Sequence, residues 1–362
     1  MSKQQRPQTY ILMYLKTFIV RAVKMGLSRT LTITLLLAIA SYILLFVFIY
    51  TNDISSVLYL LTRGESFGYV SLALLTRISS VTLHALTFFV LLRAVERVKL
   101  LDVIKVTYVS VFAELIVPVG GVTEIVKFAL LTRNSFVGVS KTLLGIASHR
   151  LITTLTMLAF LLLSVVGLHM SASRALVLIL PAATLILINL LLFLMPRSKA
   201  LESLVNKLYR RLGRESGVRF HEEYVGDFTN LTKRYDYVLA ATLLSVLERV
   251  SNVAHGYVLA LLVGLKPSLW QLVIGFDSIY MIIWLLPIVT PGNVGIYELT
   301  QTGVLSLVGV SKGMAALLSV LTRVFIVLGE YPLFLAAAVS FGLSVKNISQ
   351  LVKDWSRSSS NP

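Results

Sequence analysis

Two glutamates, Glu124 and Glu298, each follow a proline–glycine break inside a long apolar stretch. The first break reads Pro118-Val119-Gly120-Gly121-Val122-Thr123-Glu124. The second reads Pro291-Gly292-Asn293-Val294-Gly295-Ile296-Tyr297-Glu298. The same pentapeptide follows each, Val137–Lys141 and Val308–Lys312, and leads into an apolar run holding a lone arginine, Arg150 or Arg323. Proline removes a backbone donor and glycine lets the chain turn. A helix that restarts after such a break offers free N–H groups and a positive dipole end, which suits an anion such as phosphate. Arg150 and Arg323 would add charge to that site. The glutamates could pair with these arginines in the empty state, bind a cationic headgroup, or carry a proton.

Other ionisable residues also fall within apolar runs. They are Arg77, His84, Glu114, Lys127, His149, Glu248, Arg249, His255, Asp277 and Glu330. Each costs roughly 2.5–3.5 kcal/mol at the centre of a membrane helix, so such groups pair or face a polar cavity. Glu124 and Lys127 stand at i, i+3 and can neutralise each other on one helical face. Glu298 has only Gln301 and Thr302 at those offsets, so its partner must come from another helix, with Arg150 and Arg323 as candidates. Glu248 and Arg249 are adjacent and point apart; either could snorkel toward a helix end. Asp277 follows a Gly-Phe pair and could line a cavity or only accept hydrogen bonds. The histidines are scattered without metal-ligand spacing, so no metal and no cofactor is expected.

The elements that must position these groups are membrane helices. Of 362 residues, 56% are hydrophobic and 14% charged, against about 25% charged in soluble domains. The fold class is therefore all-α, a polytopic helical membrane protein. Runs long enough to span, about 20 residues, fall near 31–50, 69–92, 142–167, 175–195, 237–263, 269–289 and 314–342. The segments 105–133 and 291–309 hold the breaks and read as re-entrant or broken helices. About seven to eight transmembrane helices plus these two segments are expected, with an internal repeat whose copies enter from the same side. Residues 1–30 form a basic amphipathic segment, 31–345 the membrane domain, 196–236 a basic loop and 346–362 a polar tail.

The net charge of +16 and the absence of cysteine narrow the function. Without cysteine there is no thiol catalysis, disulfide or Cys-ligated metal. The positive charge gathers in the N-terminal segment, in 93–105 and in 196–236, as the positive-inside rule requires of cytosolic loops. The expectation is a multi-pass plasma-membrane protein with a cytosolic N-terminus, contacting anionic lipid rather than nucleic acid. Seven spans would leave the C-terminus outside, although its tail carries Lys346, Lys353 and Arg357. Within the long loop, Leu201, Leu204, Val205, Leu208 and Leu212 make the stripe of a surface helix touching lipid headgroups, with a partner-docking site as the lesser alternative.

At the two breaks the chain resembles the flippase-like membrane domain of lysylphosphatidylglycerol synthases. Pro118, Gly120, Gly121 and Glu124 match that family's first motif, and Pro291, Gly292, Gly295 and Glu298 its second. A Glu-Arg-x-x-Asp-like element of the family reads His149-Arg150-Leu151-Ile152-Thr153 here, so the arginine is kept and both acids are lost. The resemblance implies paired re-entrant helices, a lipid-facing cavity, and movement of a phospholipid or polyprenyl-phosphate-linked lipid between leaflets. The synthase's cytosolic aminoacyl-transferase domain has no counterpart here, so lipid aminoacylation is not implied and no enzymatic activity is expected. The expected substrate path is Glu124, Lys127, Arg150, Glu298, Arg323 and Asp277. The competing reading is a secondary transporter of a small anion or ion. A lipid-modifying enzyme is disfavoured because the outer loops offer only Asp53 and Glu65.

Overall fold

The computed structural model describes residues 66–116, 121–133, 137–194, 220–285 and 291–340. The expected span at 31–50, the N-terminal segment, the 201–212 stripe, the tail, Pro118 and Gly120 lie outside them. Every regular element among the described residues is helical. We number them α1 (Ser66–Val95), α2 (Leu100–Ile116), α3 (Val122–Arg133), α4 (Val139–Gly167), α5 (Ala172–Leu194), α6 (Phe220–Lys233), α7 (Tyr235–Leu262), α8 (Leu269–Ile283), α9 (Ile296–Leu307), α10 (Lys312–Gly329) and α11 (Tyr331–Ser340). Five stretches are long and apolar enough to cross a membrane: α1, α4, α5, α7, and α10 with α11. In the last of these Pro332 interrupts the backbone ladder near Glu330, and Phe334 N–H resumes it on the Glu330 carbonyl.

The axis of the molecule is the antiparallel pair α1–α7. His255 Nδ1 meets the Ala73 carbonyl, Ser251 the Thr76 carbonyl, Ser80 Asn252, and His84 Glu248. With 30 residues, α1 is about 45 Å long at 1.5 Å per residue. On the outside, α5 turns Leu176, Val177, Leu180, Leu187, Leu191 and Leu192 outward. A continuous apolar outer face of this kind is what lipid requires. Inside, Thr153, Thr154 and Thr156 bond the carbonyls one turn back, so these three hydroxyls are not left bare in an apolar interior.

Both broken segments are helical hairpins. In the first, α2 and α3 lie antiparallel: Thr123 bonds Glu114 near the tip, and Leu131 shares a core cluster with Val103 and Val106 at the base. In the second, α8 and α9 do the same. Gln271 reaches the Val308 carbonyl at the base, and Gln301 reaches the Gly275 carbonyl halfway up. A full span at 269–289 is therefore not what forms. The helix ends at Ile283, short of the roughly 20 residues a crossing needs, because the chain turns back toward α9. Its first turn is capped by Ser268 and Gln271 in a capping box, and Val273–Ser278 is π-helical.

The hairpins enter from opposite ends of the bundle, not from the same side. The base of the first packs with Phe88 and Leu92, near the C-terminal end of α1. The base of the second packs with Ala73, near the N-terminal end of α1, and with Leu262 of α7. The reason is the turn after Ile283. Three helices long and apolar enough to cross a membrane, α4, α5 and α7, then separate the hairpins rather than four.

Candidate functional site

The two hairpin tips meet halfway along α1. Each restarts its second helix after a left-handed glycine: Gly121 at φ 77° before α3, and Gly295 at φ 84° before α9. Gly292 adds a second left-handed turn at φ 61° within the short 3₁₀ turn Pro291–Asn293. A side chain disfavours this backbone region, which explains glycine there. The glutamates stand three residues beyond these glycines, at the third helical position, where a carboxylate meets the free N–H end of the helix.

The second tip is sealed. Glu298 is 0% exposed. Its Oε2 accepts from Gly295 N–H at 2.7 Å and its Oε1 from Arg323 Nε at 2.5 Å. Arg323 also donates to the Gly292 carbonyl at 3.0 Å and stacks on the Tyr297 ring, 5.0 Å from its centre. Of the two arginines expected as partners of Glu298, the structure chooses Arg323. Glu298 is thus satisfied by the tip backbone and by Arg323 of α10.

The first tip is open. Glu124 Oε1 accepts from Arg150 Nε at 2.6 Å, while Glu124 Oε2 has no hydrogen-bond partner among the described residues. The side chains of Arg150 and Glu124 keep 22% and 23% of their surface, and Arg150 lies over the Trp284 ring at 4.6 Å. The i, i+3 pairing expected of Glu124 and Lys127 does not form, because Arg150 takes the carboxylate. Lys127 is 2% exposed, makes no ion pair among the described residues, and lies 5.0 Å above the Phe88 ring.

Between the tips is a cavity of about 180 Å³ lined by Glu114, Glu124, Lys127, Arg150 and Arg323 among others. One wall is a buried polar chain, with Asp277 behind it. His149 Nε2 donates to the His84 carbonyl, and His84 Nδ1 meets Glu248 at 3.2 Å. Glu248 pairs closely with Arg249, Arg249 lies 3.0 Å from Asp277, and Asp277 accepts from Asn252 at 3.1 Å. Asn252 accepts from Ser80 and Arg77, and Arg77 pairs closely with Glu330. Snorkelling of Glu248 or Arg249 is thus excluded: both sit mid-helix, 5% and 1% exposed.

Five of the six expected path residues, Glu124, Lys127, Arg150, Glu298 and Arg323, gather at the tips. Asp277 does not; it is 0% exposed and stands behind Asn252 and Arg249 rather than on the cavity wall. Ser80, Asn252, Tyr280, Tyr297 and Trp284 were not singled out from the sequence. Asn252 and Ser80 carried a signal, since each is a polar side chain inside an apolar run. Among the described residues no group of three or more metal-ligating side chains forms.

A family model described as "Lysylphosphatidylglycerol synthase TM region" matches residues 33–330. The chain belongs to that family. The match includes both hairpins and all six interior acids and five interior bases of the described structure. No curated protein and no solved structure matches the chain.

Proposed function

We propose that this member of the lysylphosphatidylglycerol synthase TM region family is a lipid translocator, moving a phospholipid or polyprenyl-phosphate-linked headgroup between leaflets. One observation carries the reading: two broken hairpins bring paired Glu and Arg residues to a shared cavity at mid-depth from opposite ends of an apolar-surfaced bundle. Half-helix ends meeting near the midplane are how transporters hold a charged substrate, with the two repeats inverted. Here α1, the first hairpin and α4 form one unit; α7, the second hairpin and α10–α11 form its inverse.

The hairpins are then re-entrant. With the run at 31–50 as a further span there are six crossings, which leave both termini in the cytosol of a plasma-membrane protein. The basic tail then joins the basic stretches 93–105 and 196–236 on one side. The first hairpin opens toward that side.

Lys127 and Arg150 receive the phosphate of an anionic lipid. Glu124 holds Arg150 in the empty state and releases it to substrate. The reading needs no cofactor and no covalent chemistry.

The test is bleaching of inner-leaflet fluorescent phospholipid by an impermeant reductant in proteoliposomes, with wild type, Glu124→Gln and protein-free vesicles. Fast bleaching by wild type and slow bleaching by the variant supports the reading. Equal rates in all three, across anionic, zwitterionic and polyprenyl-phosphate lipids, overturns it. Uptake of a small anion in the same vesicles, with no lipid movement, would replace it by the solute-transporter reading.

A further inference from the structure

The interior of the bundle carries one acid too many. Among the described residues its acids are Glu114, Glu124, Glu248, Asp277, Glu298 and Glu330, six in all, against five bases, Arg77, Lys127, Arg150, Arg249 and Arg323. Glu124, Glu298 and Glu330 each have an arginine of their own. Glu114 and Lys127 both line the cavity and offset each other in the count. Only Glu248 and Asp277 must share a base, Arg249.

The sharing is unequal. Glu248 takes the close contact with Arg249 and also receives His84 Nδ1–H. Asp277 has Arg249 Nη1 at 3.0 Å, but off the line of a hydrogen bond, and one amide N–H of Asn252. Its Oδ2 has no partner among the described residues, although the residue is 0% exposed. An ionised carboxylate left so poorly compensated in an apolar interior is costly enough that it binds a counter-ion or proton instead. Asp277 also lies in the π-helical stretch Val273–Ser278, a deviation frequent at functional positions.

We propose that Asp277 holds a monovalent cation, a proton or a sodium ion, and that this cation is coupled to the anion taken up in the cavity. The connection is Arg249. It lines the cavity on one side and faces Asp277 on the other. An anion that draws Arg249 forward strips Asp277 of its remaining positive neighbour and tightens its hold on the cation. Asn252 carries the same signal through Ser80 and Arg77. Binding of the two ligands is then mutually favourable, and by linkage each strengthens the other by the same factor. The other ionisable group acting on Asp277, Glu248, belongs to this wall. The coupling half rests on the translocator reading; the cation site does not.

The site is tested on the purified full chain by infrared spectroscopy at neutral pH in potassium buffer. A carbonyl band of a buried, protonated carboxylic acid is expected in wild type. It should vanish in Asp277→Asn. It should vanish as well in Glu248→Gln, where Arg249 is left with Asp277 alone and Asp277 ionises. Loss in the second variant, in which Asp277 is still present, separates the charge count from a mere folding defect. Should sodium be the ligand, no such band appears; sodium but not potassium then raises the melting temperature of wild type and leaves Asp277→Asn unchanged. Neither a band nor a sodium response, or a band that survives Asp277→Asn, overturns the site.

Coupling is read separately, from lipid bleaching under an imposed pH or sodium gradient. A rate change of at least about fivefold, the low end of ordinary coupling, that is lost in Asp277→Asn supports it. Lipid movement indifferent to both gradients overturns the coupling alone, and absence of any lipid movement overturns the translocator reading together with the coupling that rests on it, leaving the cation site to its own test.

Discussion

Glu124 and Glu298 occupy the same place on two inverted hairpins, yet one is open and the other is locked. Each stands three residues after a left-handed glycine, and each pairs with an arginine on the long helix that follows, Arg150 and Arg323. Glu298 spends one oxygen on the Gly295 N–H of its own tip and the other on Arg323, and Arg323 holds two further backbone carbonyls there. Glu124 spends one, leaves Oε2 without a partner among the described residues, and keeps exposure to the cavity. A site that binds and releases needs groups that can change partner, so on the proposed translocator reading the working half is the first hairpin and the second is its rigid counterface.

That difference separates two conservative substitutions. Glu298→Gln leaves Arg323 buried without its counter-charge and is expected to destabilise the protein by about 3–5 kcal/mol. Thermal unfolding in detergent should show it, with poor recovery of folded protein. Glu124→Gln removes one charge-assisted hydrogen bond beside a wet cavity. Its effect falls on transport: a loss of about 1.5–3 kcal/mol of charged hydrogen bonding corresponds to about ten- to a hundredfold in rate. Equal melting temperatures for the two variants would contradict the assignment.

Lys127 gives a prediction of opposite sign for stability and function. It is a buried cation with no ion pair among the described residues. Lys127→Met keeps the length of the side chain and its contact with Phe88 but removes the charge. Stability should hold or rise, by about 1–3 kcal/mol for relief of desolvation, while binding of an anionic lipid or of inorganic phosphate is lost. A melting temperature that falls together with binding would make Lys127 structural.

Much of this site was legible because charge in an apolar run is conspicuous. Glu124, Arg150, Glu298 and Arg323 were all visible, and glycine before each glutamate marked where the helix restarts. The hairpin partner of α9 was not. Apolarity reports that 269–289 is buried in something apolar, not that the chain turns back after Ile283. One signal was at hand: the pentapeptides begin at Val137 and Val308, so the same offset applied to α2 lands on α8. The shared base at Arg249 was hidden for another reason. Glu248 and Arg249 are sequence neighbours, which point apart on an ideal helix, and Asp277 reaches the same guanidinium from the π-helical turn of α8.

At the basic end of the bundle, Glu96 and Lys141 join the end of α1 to the start of α4 at 2.8 Å. The Lys141 ammonium, by hydrogen bonding, holds the Glu96 carboxyl below its ordinary range. A carboxylate whose folded value is depressed stabilises above its unfolded value, and that stability is lost as the pH falls through the folded value. The contribution is thus full at neutral pH and disappears in acid. Both side chains keep about a third of their surface, so the pair is worth at most about 1 kcal/mol. Glu96→Gln should melt slightly earlier than wild type at pH 7 and together with it in acid. A gap that persists in acid would assign the effect to packing.

The second hairpin depends on a close approach that glycine alone permits. A Cβ at Gly256 of α7 would overlap the Phe276 ring in the π-helical turn of α8, and a ring cannot fold away as the end of an aliphatic chain can. Gly256→Ala therefore pushes α8 off α7 and with it the wall that carries Asp277. The expected cost is about 1–3 kcal/mol, the usual range for overpacking. Phe276→Leu creates room at the same contact. Combined with Gly256→Ala it should recover part of the loss, with a coupling of about 0.5–3 kcal/mol between the two positions in a double-mutant cycle of thermal unfolding. Strict additivity would mean that α8 does not rest on α7 at this point. Because Asn252 sits one turn before Gly256 on α7 and bonds Asp277, the single variant should also weaken the cation site while the double variant restores it.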